Sequence, residues 1–326
     1  MVAHQMNRRQ FVGLSAASVA GGILGLRSAD ANATRGDAWD PGAPLMVTGK
    51  PLRVQPILMY RVAERREATS WKSWGGVQDD QAAEKESRQI AEELGTLEIQ
   101  AGFPLEILPV LKVRSPEEAA RMHESEYDCV IVYPATGSGE TLRACFAPKK
   151  DRDTLIFVRR RSGPVYYWYE ALSTRYLATG HEASRGNTWN DHGPVHVDDV
   201  VVDDGAELLR RLRALYGIKN FIGARIVALG GPWGKYAPDA PQVARDRYRL
   251  NIIDVPYEQV SARIEAATKD RGRLHAAQRM AERYLSLPGT TLMTDKEFVI
   301  NAFVLYSFVK ELMREHEAPA FTVAAA

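Results

Sequence analysis

Three of the seven histidines, His181, His192 and His196, fall within sixteen residues, in a segment that ends Thr188-Trp-Asn-Asp-His-Gly-Pro-Val-His196. Two imidazoles four residues apart could meet one metal ion, and Gly193-Pro194 between them excludes a helix, so His192 and His196 would have to do so from an extended chain. The neighbouring Trp189, Asn190 and Asp191 have the composition of a sugar subsite. An aromatic face stacks on the ring while amide and carboxylate groups bind its hydroxyls. A polar surface loop would have the same composition.

Two glycine-rich segments are the next candidates. Thr136-Gly-Ser-Gly-Glu-Thr141 follows an apolar run, at the place where open α/β sheets hold ligands. Ser138, Glu140 and free helix amides could take an anion or a sugar hydroxyl there; the same residues also suit a helix cap. Gly230-Gly-Pro-Trp-Gly234 follows another apolar run and precedes Asp254 by some twenty residues, which imitates a dinucleotide fingerprint. The imitation fails mechanically, because Pro232, Pro238 and Pro241 prevent the glycines from passing straight into a helix that could hold a pyrophosphate. Trp233 remains as a substrate-binding candidate. No Gly-x-Ser-x-Gly, Cys-x-x-Cys or His-Glu-x-x-His occurs, so hydrolase and zinc-protease readings have no residues to rest on.

The elements that must position these residues read as alternating strands and helices. β-like runs at 52–62, 104–113, 129–133 and 154–158 alternate with helical stretches near 79–100 and after the Ser115-Pro116 cap. An aromatic helix is expected over 164–179. Runs at 195–202, 224–229 and 249–255 follow, with helices at 204–216, 256–269, 274–285 and 294–315 and a β-like tail at 320–323. Such alternation means parallel sheets flanked by helices, an α/β fold of two Rossmann-like domains over 50–163 and 164–326. In the last helix, Phe298, Ala302, Leu305, Phe308, Val309 and Leu312 form the expected core stripe.

The chain of 326 residues is 45% hydrophobic and 25% charged, with 42 basic and 41 acidic residues. That balance offers no excess of positive charge for nucleic acid. Arg159-Arg-Arg161 and Lys149-Lys150 read as solvated strand ends, and Cys129 as a buried strand thiol. At the N-terminus, Asn7-Arg-Arg-Gln-Phe-Val-Gly13, a sixteen-residue uncharged stretch to Leu26 and Ala31-Asn-Ala33 make a signal peptide over 1–33 that resembles the twin-arginine export signal. The stretch is too short to span a bilayer, so the mature protein is expected in the periplasm or otherwise exported, without stable membrane insertion. Residues 34–49 read as a linker.

Whole segments resemble the L-fucose/L-arabinose isomerase superfamily: Tyr127-Asp-Cys-Val-Ile-Val-Tyr-Pro134, Thr154-Leu-Ile-Phe157, Ile222-Gly-Ala-Arg-Ile-Val-Ala-Leu-Gly230, Leu250-Asn-Ile-Ile-Asp-Val-Pro-Tyr-Glu258, and Glu297 to Val323. The resemblance implies two Rossmann-like domains, a small-molecule sugar as substrate, aldose–ketose interconversion and a divalent metal such as Mn²⁺ on adjacent sugar oxygens. It also implies a homo-oligomer. The family's metal-binding carboxylates and histidine lie in a third, C-terminal domain that this sequence does not reach, so no catalytic residue carries over. The alternative expectation is a periplasmic carbohydrate-binding protein with its ligand between two lobes.

Overall fold

The computed structural model describes residues 39–40, 49–62, 67, 75–148, 151–166, 169–173, 176–178, 195–234 and 236–324. Its first sheet comprises β1 (Leu52–Met59), β2 (Leu105–Ile107), β3 (Leu111–Val113), β4 (Cys129–Pro134), β5 (Asp153–Val158) and β6 (Val200–Val202). The helices α1 (Asp80–Gln100), α2 (Pro116–Met122), α3 (Gly139–Ala144) and α4 (Gly205–Phe221) connect them. A second sheet holds β7 (Arg225–Leu229), β8 (Asn251–Val255) and β9 (Ala320–Val323), with α5 (Ala240–Tyr248), α6 (Tyr257–Lys269), α7 (Arg271–Leu285) and α8 (Lys296–Glu315). Every pairing in both sheets is parallel, as the α/β reading requires.

The first sheet has the order β2-β1-β4-β5-β6, with β3 also on β1. Since β4 pairs with β1 from Val54 to Met59, β2 and β3 must share the opposite edge, as two halves of one strand. The break between them faces Gln55-Pro56. Neither Pro56 nor Pro109 can donate to a ladder. Buried Gln55 compensates by donating its side-chain amide to the Pro109 carbonyl at 2.8 Å. The flanking registers differ by one residue, so the edge strand carries a bulge there.

Ile57, Ile131, Val132 and Ile156 are wholly buried, and α1 packs Ala83, Glu86, Ile90 and Leu94 into the same core. The helix starts are written locally. Asp79 accepts from the Ala82 amide at 2.7 Å, Ser115 caps α2 ahead of Pro116, and Asp204 caps α4. The second sheet has a smaller core of Val227, Leu229, Val255, Val260, Phe308, Leu312 and Ala318.

Several expectations need correction. The boundary drawn at 163/164 falls inside the first sheet, because β6 pairs with β5. The aromatic stretch carries only a short 3-10 turn, Tyr169–Leu172, among its described residues, with Tyr166 outside any helix. Helix α5 lies between the runs expected at 224–229 and 249–255, where the sequence reading places no helix. In α8 the buried face is Phe303, Val304, Phe308, Leu312 and Met313, while Phe298 and Leu305 are exposed. That helix is apolar around most of its circumference, so spacing alone could not select the face.

By compactness, Pro44–Ala267 with Leu305–Ala326 forms one unit, and Thr268–Val304 with the described residues before Ala43 forms another. In the latter, Trp39, within the expected linker, stands edge-on to Tyr284 and Phe303 at 5.8 and 5.2 Å between centroids. Among the described residues no helix is long and apolar enough to cross a membrane.

Candidate functional site

Strand order reverses at β1: the chain winds outward to β2 and β3 on one side and to β4, β5 and β6 on the other. In such sheets the crevice at the carboxyl ends of the two strands flanking the reversal is the place where loops part and ligands bind. Here those ends are Met59-Tyr60-Arg61 after β1 and Ala135-Thr136-Gly137 after β4.

Thr136, 3% exposed, joins the loops. Its hydroxyl oxygen accepts from the Arg61 amide at 2.9 Å and donates to the Val77 carbonyl at 3.1 Å. The Ala135 amide donates to the Met59 carbonyl at 2.9 Å. Gly137, at φ +148°, lies so near Met59 that a Cβ would stand 3.0 Å from its methyl carbon. The loop after β5 joins the same rim, since the Gly76 amide donates to the Val165 carbonyl at 3.0 Å and a side chain at Gly76 would collide with Pro164. Tyr60 donates to Asp80 at 2.6 Å and fastens the start of α1 to the rim; burial, with Asp80 adding to it, pushes that phenol up to about 12.

Beneath the rim lies a buried ionic cluster. Arg159, wholly buried, donates both terminal nitrogens to Glu93, one of them to Oε1 at 3.2 Å. Its Nε lies 2.8 Å from Glu86 Oε1, but off-line, so that contact is electrostatic. Tyr166 donates to Glu86 Oε1, and Arg159 lies against the Tyr133 and Phe157 rings at 5.8 Å. Burial raises the Glu86 pKa, against the lowering effects of Tyr166 and Arg159. The expectation of a solvated Arg159 is therefore wrong, although Arg160 and Arg161 are exposed.

At the β5–β6 corner, the Asp203 carboxylate accepts from the Arg160, Arg161 and Ser162 amides at 2.9, 2.8 and 3.2 Å and from the Ser162 hydroxyl at 2.7 Å. Burial alone would raise its pKa, but these donors outweigh it and hold the group below the usual carboxylate range. Asp203 sits at φ 53°, a left-handed conformation that Asp tolerates better than most residues.

The residues singled out from sequence scatter. Ser138 and Glu140 do stand at the rim. Ser138 caps α3, accepting from the Thr141 amide at 3.2 Å, and Glu140 is exposed in its first turn. Trp233, 52% exposed, follows β7 of the second sheet. There Gly230 and Gly231 have positive φ, the Tyr257 ring lies against Gly230 and α5 begins only at Ala240, so the strand–glycine–helix continuity of a dinucleotide loop is absent. His196 precedes β6, at the opposite end of the first sheet from the rim. Its Nδ1 accepts from the Asp198 amide at 3.1 Å and lies 3.2 Å from the Asp198 carboxylate. Trp189, Asn190, Asp191 and His192 lie outside the described residues. Among the described residues no group of three or more His, Cys, Asp or Glu could hold a metal ion, so none of them assigns the expected Mn²⁺ a place. Cys129 and Cys145 are buried free thiols.

A separate groove of about 450 Å³ lies between α2 and α3, lined by Pro116, Ala120, His123, Arg143, Phe146 and Pro148. His123 is spent structurally, its ring nitrogens 2.5 Å from the Tyr127 hydroxyl and 2.8 Å from the Ala144 carbonyl, and burial lowers its pKa.

Sequence reasoning missed Glu86, Glu93, Arg159, Tyr166 and Asp203. One signal was available: Glu86 interrupts the apolar stripe Ala83, Ile90, Leu94 of α1, and a carboxylate on a core face needs a buried partner.

No protein family and no curated relative matches the chain. One solved structure aligned with it is "The ligand-free, open structure of CD0873, a substrate binding protein with adhesive properties from Clostridium difficile". The alignment covers 70% of this chain and 70% of that one, at 12% identity and a TM-score of 0.20, a likeness from which nothing further is read. What the geometry itself establishes is an α/β protein with parallel sheets flanked by helices, whose first sheet has a switch-point rim stitched from three loops.

Proposed function

We propose that the protein is an exported binder of small carbohydrates, with the ligand seated at the carboxyl rim between β1 and β4. The observation that carries this reading is the reversal of strand order at β1, with the loops after β1, β4 and β5 tied together there through Thr136 and Gly76. Parallel sheets bury their faces and leave the rim as the accessible polar surface. The sugar class comes from Trp189, Asn190 and Asp191 and from the resemblance to sugar isomerases. Export is the proposal drawn from the Arg8-Arg9 segment. Isomerase chemistry has no assigned catalytic residues and is the lesser reading.

The test is thermal denaturation of the purified protein against pentoses and 6-deoxyhexoses, with and without Mn²⁺, together with an assay for ketose. Sugar-dependent stabilisation without turnover is the expected result. Ketose formation would favour the isomerase, and no shift with any sugar would reject the carbohydrate reading. Thr136→Val keeps the shape but removes the hydroxyl between the loops, and it should abolish the sugar-dependent shift. An unchanged shift would move the ligand elsewhere.

A further inference from the structure

Among the described residues, the buried side-chain atoms Glu86 Oε2 and Arg159 Nε have no hydrogen-bond partner, and they belong to the same cluster. Its charges do not balance. The single guanidinium is already engaged bidentately by Glu93, whose side chain is 44% exposed and partly hydrated, while Glu86 is 1% exposed. The groups facing Glu86 are Arg159 after β5, Tyr166 on the turn beyond it, Tyr133 on β4, and Glu93 on its own helix. Among the described residues, Tyr166 donates a hydrogen bond to Oε1 and Arg159 Nε approaches the same oxygen at 2.8 Å, while nothing donates to Oε2.

We infer that Glu86 is a proton-binding site that holds a neutral carboxylic acid at neutral pH and serves as a pH-sensitive latch on the turn from Arg159 to Tyr166. A buried carboxylate oxygen without a donor is far more costly than a neutral hydroxyl without an acceptor. With Glu93 already paired to Arg159, a second negative charge would have to share that one guanidinium through the 2.8 Å contact at Oε1 and would leave Oε2 without a donor. Tyr166 closes over Glu86, so a Glu86 carboxylate gains water only when that turn lifts. The same turn carries Val165, whose carbonyl receives the Gly76 amide across the rim, and its Gly163 allows no side chain, since a Cβ would stand 2.7 Å from Arg159 Cδ. The latch therefore couples a buried proton to the order of the rim loops.

The sign follows from linkage. A carboxyl that titrates higher when latched than when open binds more protons in the latched state, so the latch is strongest below the ordinary glutamate range. The opening constant rises by roughly tenfold per pH unit until Glu86 ionises in place, then levels off. Infrared spectroscopy at neutral pH should show the carbonyl stretch of a protonated carboxyl that is absent in Glu86→Gln. Glu93→Gln should also lose the band, because the guanidinium of Arg159, freed of its other carboxylate, would stabilise ionised Glu86 and the proton would pass to water. Tyr166→Phe should retain it at a shifted frequency. Amide exchange over 159–166 should accelerate with pH beyond the intrinsic base-catalysed increase in the native protein, and not in Glu86→Gln. No acid band in either the native protein or Tyr166→Phe, or equal pH dependence in native and Glu86→Gln protein, would overturn the inference. Its bearing on ligand access rests on the rim reading above. A demonstrated latch without any sugar-dependent stabilisation would reject that reading alone.

Discussion

Arg159 shows how much one residue's surroundings decide. Within the run Arg159-Arg-Arg161 the three side chains are chemically identical, yet the first is wholly buried and the next two are exposed. The difference is position: Arg159 directly follows β5, where Glu93 and Glu86 of α1 face it. Burial alone would lower its pKa, but the Glu93 hydrogen bonds oppose that and the net shift is upward. Replacing the buried guanidinium with an apolar side chain removes the charge-assisted hydrogen bonds to Glu93 and loses the packing against Tyr133 and Phe157. Arg159→Met should therefore cost about 1.5–3 kcal/mol in chemical denaturation, whereas Arg161→Met should change stability by less than about 0.5 kcal/mol.

Among the elements, the β5–β6 corner depends on a single carboxylate. Asp203 gathers three consecutive amides and a hydroxyl, and loss of charge-assisted bonds of this kind costs about 1.5–3 kcal/mol. Asp203→Ala should destabilise the protein by that order at neutral pH. Because the folded-state pKa is depressed, this stability is present above the ordinary aspartate range and disappears as pH falls through the folded value. Melting curves in acid should therefore converge for native and Asp203→Ala protein. Helix starts were legible in sequence because capping is local: Asp79, Ser115, Ser138 and Asp204 each cap a helix with their own side chain. The α8 face and the existence of α5 were not, because an all-round apolar helix and a short polar helix with a proline in its first turn give no periodicity to choose by.

In the molecule as a whole, two sheets of unequal core should differ in stability. The first buries β1, β4 and β5 almost completely, whereas all four residues of β9 are exposed. Hydrogen exchange should find the β4 amides slowest and those of β9 among the fastest of the strands; the reverse order would contradict this distribution of stability. Ile131→Ala, at the centre of the larger core, should cost about 2–5 kcal/mol. The alternation of short apolar runs with capped helices determined the α/β class, the parallel sheets and most element positions, since strand and helix periods are properties of contiguous residues. Strand order was decided only by the tertiary structure: β6 joins the first sheet across more than forty intervening residues, and the switch point at β1 exists only once β2 and β4 take opposite edges. Likewise Glu86, Arg159 and Tyr166 share no sequence pattern. Their chemistry arises because burial removes water and leaves each polar atom dependent on partners up to eighty positions away.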